Sequence, residues 1–169
     1  MQAIAKGLVI SIVVAICIMI FTNFIYFFPW YMTLVMETFN VSQTAATYNY
    51  MPQSEYDDAL NRLRDYPFFD DRPYDISIVV TNASGASAVG LDDPTDYNQD
   101  TQDDTSKPYR QRGEPITVTI SASYPFEIEL WGNTINKDNS LNLDIPVTFT
   151  LKTVGLKHYK DWDWDYYSE

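Results

Sequence analysis

Residues 8–28 read LVISIVVAICIMIFTNFIYFF, and this stretch decides how the chain is built. Lys6 precedes it, and no charged residue follows until Glu37. A transmembrane helix needs about 20 apolar residues, rising 1.5 Å each, to cross a hydrocarbon layer of about 30 Å. The run meets that length. A cleaved secretory signal would carry a shorter apolar stretch and end in small residues. Here the run ends in Tyr26, Phe27, Phe28, Trp30 and Tyr31, side chains that suit a membrane–water boundary and not a signal-peptidase site. The expectation is an anchor that stays attached.

Working outward, Lys6 and the N-terminal amine flank the front of the run, and behind it no Lys or Arg appears before Arg62. Positive charge remains on the cytoplasmic side. The expected order is a cytoplasmic leader (1–7), a transmembrane helix (8–28), a helical stem (29–52) and an exported acidic head (53–169) with a mobile loop at 83–113. An extracellular filament is the second location consistent with this order. Pro29 removes a backbone donor and is expected to kink the helix, and Pro52 to close the stem. Leu34, Val41, Ala45 and Tyr48 follow at helical spacings.

A second helix is expected over 54–65, capped by Ser54 and inward-facing at Leu60 and Leu63. Arg62 and Arg64 are expected to form solvated surface pairs with Asp57, Asp58 and Asp65. Strands are expected at 74–81, 114–123, 126–131 and 145–152, where β-branched and apolar residues alternate with polar ones. The fold class is therefore α+β. A long N-terminal transmembrane and stem helix is followed by a small antiparallel β-sheet head with one short helix.

Composition narrows function. The 169 residues carry 11 Lys+Arg against 23 Asp+Glu, a formal charge of −12, which argues against nucleic acid as a partner. Cys17 is the sole cysteine and lies in the apolar run, so the head has no disulfide. His158 is the sole histidine, and no G-x-S-x-G elbow accompanies it. Adjacent acids such as Asp57/Asp58, Asp70/Asp71, Asp92/Asp93 and Asp103/Asp104 point to different sides. Glu127 and Glu129 share a strand face, and solvent-facing alternation accounts for them. No catalytic residue and no enzyme activity are expected.

No cofactor is expected either, calcium being the one ion weighed. Asp96-x-Asn98-x-Asp100 copies the start of a calcium loop. Thr101 then replaces the required glycine, and Lys107 stands at the twelfth position. Asn136, Asp138, Asn142 and Asp144 offer a looser set. Asn40-Val41-Ser42 and Asn82-Ala83-Ser84 fit the N-glycosylation triplet. In the tail, Trp162, Trp164 and Tyr166 would share one strand face. That face is either an edge strand closing the head or a strip that docks a partner.

A basic leader, an apolar helix, a stem, and the strings RGEPITVTISASYPF (112–126) and IPVTFTLKTVGLKH (145–158) together resemble TadE-type and type IV pilin-like proteins. Lys6-Gly7 before the helix is similar to a prepilin processing site, and Pro29 stands where many such pilins carry a proline. The glutamate those proteins carry early in the helix is replaced by Ile12. The resemblance implies a subunit of a surface filament or of a conjugation or secretion apparatus. It would assemble with itself or with other pilin-like subunits through Leu8, Ile12, Ile16, Met19, Ile20, Phe24 and Pro29. The residues alone also allow a monomeric membrane-anchored binding domain, and both readings stand at this point.

Overall fold

A computed structural model describes residues 2–67, 69, 75–97, 107–124, 129–130, 133–134 and 144–159. Helix α1 runs from Gln2 to Tyr48 and passes through Pro29 without ending. Thr38, a poor helix former on the buried face, satisfies its hydroxyl by a 2.8 Å hydrogen bond from Oγ1 to Leu34 O. The helix ends at Asn49, whose φ of 62° is left-handed. The stem therefore stops earlier than the expected break at Pro52, because Asn tolerates this conformation and terminates helices without a proline.

The chain forms two compact units, residues 1–32 with 123–147, and residues 33–122 with 148–169. In the second unit, α1 buries Leu34, Val41, Ala45 and Ala46, which recur at helical spacing. After Asn49, β1 (Met51–Pro52) leads into α2 (Gln53–Arg64), which buries Ala59 and Leu63. Leu60, expected inside, is only half-buried. Strand β2 (Ser77–Thr81) is followed by the short β3 (Val89–Gly90), which pairs parallel with β1.

Strand β4 (Pro115–Tyr124) buries every second residue from Ile116, as its alternation requires. It pairs antiparallel with β2, Val80 opposite Val118 and Ile78 opposite Ile120. Strands β5 (Glu129–Leu130) and β6 (Asn133–Thr134) pair antiparallel, and β7 (Ile145–Val154) completes the sheet order β2-β4-β7. Among the described residues the largest sheet has three strands, and most of the expected strand at 126–131 lies outside them. Along β7 the apolar positions Val147, Phe149 and Leu151 are only half-buried.

The stretch at 83–113, expected as one long loop, contains β3 and a 3-10 turn at Pro94–Asp96, and it buries Ala88, Pro108 and Tyr109. Gly90 explains the close approach there. A Cβ at that position would overlap both the Tyr97 hydroxyl and the Pro108 ring.

Candidate assembly helix and the head that carries it

The helix is long and apolar enough to cross a membrane, and none of its most apolar window is buried within the protein. Leu8, Ile12, Ile16, Ile20 and Phe24 recur at every fourth residue. They form one oblique ridge, 45–67% exposed, of the kind that packs into the groove of another helix. Met19 belongs to a different row. With Asn23 and Phe27 it is half-covered, and the row ends at Trp30, which is 1% exposed. Pro29 is exposed. Lys6 and Gly7 are helical, and open space surrounds the Gly7 Cα.

The polar side chains of this segment are satisfied by the helix itself. Ser11 Oγ donates to Leu8 O (2.9 Å), Thr22 Oγ1 to Ile18 O (2.9 Å) and Asn23 Nδ2 to Met19 O (3.1 Å). Such internal bonds suit an apolar medium, where an unmet polar group costs several kcal/mol, about the value of the bond it lacks.

The Tyr124 side chain, from the end of β4, covers part of the Asn23 row. Tyr124 Oη donates to Asn23 O at 3.1 Å. The Tyr124 ring meets Phe27 edge-on at 5.1 Å and Trp30 at 5.2 Å, geometries favoured by the aromatic quadrupole.

In the second unit, one buried ion pair ties the stem to α2. Arg62 Nη2 lies 2.7 Å from Glu37 Oε1, with the carboxylate side chain 5% exposed and the arginine 50%. For Arg62 this contact stands where a solvated pair with neighbouring acids was expected, while Asp58 still acts on it through space. A carboxylate buried on the stem offers a far stronger partner than acids already hydrated. The hydrogen bond to Glu37 holds the Arg62 guanidinium above its ordinary pKa. Ser54 does not cap α2 with its side chain. Instead Asp92 Oδ1 accepts from Ser54 N at 2.8 Å, supplying the cap from a residue far along the chain.

The sequence reading missed the hub at Asn49, which is 1% exposed. Its Nδ2 donates to Arg110 O (2.7 Å) and to Lys157 O, and its Oδ1 accepts from Lys157 N (2.8 Å). Around it the tyrosines assemble. Tyr109 stacks on Tyr159 at 4.2 Å and meets Tyr50 and Tyr97 at 5.9 and 5.8 Å, while Lys157 Nζ lies 4.9 Å above the Tyr159 ring. Tyr50 Oη donates to Leu91 O at 2.9 Å. Burial, reinforced by Tyr97 and by Asp92 and Asp93, pushes the Tyr50 phenol up to about 12. The one sequence signal for this hub was an Asn directly after the apolar stem pattern.

The remaining candidates fall in different places. His158 is exposed. Among the described residues no group of three or more His, Cys, Asp or Glu is placed to hold a metal ion. Asp93 accepts from Thr95 Oγ1 (2.7 Å) and Thr95 N (2.8 Å), and these bonds lower its pKa. Asn98, Asp100, Asn136, Asp138, Asn142, Trp162, Trp164 and Tyr166 lie outside the described residues.

Of the two glycosylation triplets, Asn40 is exposed, but Asn82 is 4% exposed. Asn82 Oδ1 accepts from Ser84 N, Ser84 Oγ and Ala86 N, closing the turn between β2 and β3. An open groove of about 490 Å³ lies along Gln53, Tyr56, Val79, Thr81 and Val89. No protein family, curated protein or solved structure matches this chain.

Proposed function

We propose that this chain is a non-enzymatic, pilin-like subunit, held in the membrane by its N-terminal helix and carried into a surface filament or a conjugation or secretion assembly through it. One observation carries the reading. A single helix is apolar with no buried residue over its first half, and supplies a buried face over its second. An apolar rod of this kind leaves lipid for a copy of itself at little cost, since both surroundings are apolar and packing decides. The ridge Leu8–Ile12–Ile16–Ile20–Phe24 is the packing surface, and the acidic head faces outward.

The test replaces Cys17 by Ser and introduces Ile16→Cys or Ile20→Cys in the full chain. Oxidative cross-linking between copies, together with filaments by electron microscopy, is the expected result. A chain that stays in the membrane, never cross-links and forms no assembly would instead be a monomeric anchor presenting its head to a partner.

A further inference from the structure

We propose that the acidic, aromatic residues 161–169 seat on their own head, over a basic surface beside the Asn49 hub. The inference is independent of the filament reading and applies equally to a lone anchor.

Charge is unevenly placed in this chain. Six of its eleven Lys and Arg fall in 107–112 (KPYRQR) and 152–160 (KTVGLKHYK), two stretches without a single Asp or Glu. The fold brings these stretches together. Asn49 Nδ2 donates to the carbonyls of both Arg110 and Lys157. Gln111 Nε2 donates to Tyr159 O at 2.7 Å, and Gly113 N to Gly155 O at 2.8 Å. Lys107 is buried, and the Arg110 guanidinium is turned to the carbonyls of Lys107 and Tyr109. Arg112, Lys152 and Lys157 are exposed, and none of the three lies within ion-pair distance of a carboxylate among the described residues. Two acids stand near them. Glu114 O accepts from Gly155 N, and Asp93 feels Lys157 through space but is already bound to Thr95. Val154 and Leu156, 48% and 60% exposed, add apolar surface beside the cations.

The segment that fits this surface is the one that starts at its edge. Tyr159, the last described residue, is buried and exchanges two hydrogen bonds with the Gln111 side chain. Residues 161–169 then read DWDWDYYSE, with four acids and no base. Extended, they would put Asp161, Asp163 and Asp165 on one side about 7 Å apart, and Trp162, Trp164 and Tyr166 on the other. Cations bordered by exposed aliphatic side chains thus meet acids interleaved with aromatic rings. Nine residues span up to about 30 Å, enough to reach Lys152 from Tyr159. Single exposed ion pairs are weak, so the tether matters. It holds the acids at an effective concentration on the order of millimolar, which favours a chain's own tail over a neighbour's.

The test follows chymotrypsin cleavage after Trp162 and Trp164 by mass spectrometry, on the full chain in detergent micelles at low salt. Each rate is taken relative to a synthetic peptide of the same 158–169 sequence. Cleavage should be at least tenfold slower in the wild type than in Arg112→Glu/Lys157→Glu. In 1 M NaCl, where charges are screened beyond about 3 Å, the difference should vanish. Adding Asp161→Lys, Asp163→Lys and Asp165→Lys to the double variant should restore the slow rate. Failure of this swap would mark a folding effect and overturn the inference. Fast cleavage throughout would also overturn it, as would slow cleavage that charge reversal and salt leave unchanged. Protection lost on dilution would seat the segment on a second copy and overturn it too.

Discussion

Replacing Asn49 by Ala tests the hub on which the head is built. The substitution deletes three hydrogen bonds at a site 1% exposed, leaving the carbonyls of Arg110 and Lys157 and the N–H of Lys157 without their partner. Each buried polar group so orphaned costs about 1–3 kcal/mol, less where water enters. Alanine must also hold the φ of 62°, which costs about 1 kcal/mol more than it costs asparagine. A loss of about 3–5 kcal/mol is expected, a large share of the 5–15 kcal/mol typical of a domain. Asn49→Gly loses the same bonds but adopts the backbone freely, so it should be about 1 kcal/mol more stable than Asn49→Ala. The assay is urea unfolding of the full chain in detergent micelles, followed by far-ultraviolet circular dichroism. The order wild type, Gly, Ala is expected. Both variants unfolding within about 0.5 kcal/mol of wild type, the range of an inert surface change, would refute the reasoning.

Other outcomes follow from the same geometry. Gly155→Ala would place a Cβ 2.6 Å from the Asn49 side chain, so it should destabilise by about 1–3 kcal/mol, and its cost should shrink in an Asn49→Gly background. Arg62→Met leaves Glu37 buried without its cation; because Arg62 is half exposed the loss should be about 1–2 kcal/mol, and adding Glu37→Gln should recover part of it. Asp92→Ala should cost about 1 kcal/mol through the first turn of α2, seen as a lower urea midpoint. Tyr50 keeps its proton in the fold beyond the pH at which the unfolded chain loses it. Its contribution is complete below pH 10 and is lost between 10 and about 12. In Tyr50→Phe, stability followed by alkaline titration should fall less over that window.

The helical spacing of Leu34, Val41 and Ala45 and the alternation of Ile116, Val118 and Ile120 made the stem and β4 readable, because each pattern reports one buried face. What escaped reading depends on partners distant in the chain. Arg62 sits among acids in sequence yet pairs with Glu37, 25 positions away. Ser54 looked like a cap, whereas Asp92 supplies it from 38 positions on. The bonds from Asn49 to Lys157 span 108 positions, and its place just after the stem pattern says where the helix ends, not what the side chain binds. The exposed ridge was legible as a run of apolar residues, but which row of the helix is half-covered was not. The Tyr124 hydroxyl, reaching Asn23 from 101 positions away, marks that row.

The turn at Asn82 sets an order of events for any sugar. Its Nδ2, the atom an oligosaccharide would occupy, lies in a side chain already enclosed once the turn to Ala86 has closed. A transferase could reach it only on a chain still emerging, and the attached glycan would then hold that corner open. Asn40 also lies in folded helix with Ser42 of its triplet 3% exposed, but its own side chain faces outward, so a sugar added before folding leaves the stem intact. Glycopeptide mapping of the folded protein from a glycosylating host should accordingly find sugar at Asn40 alone.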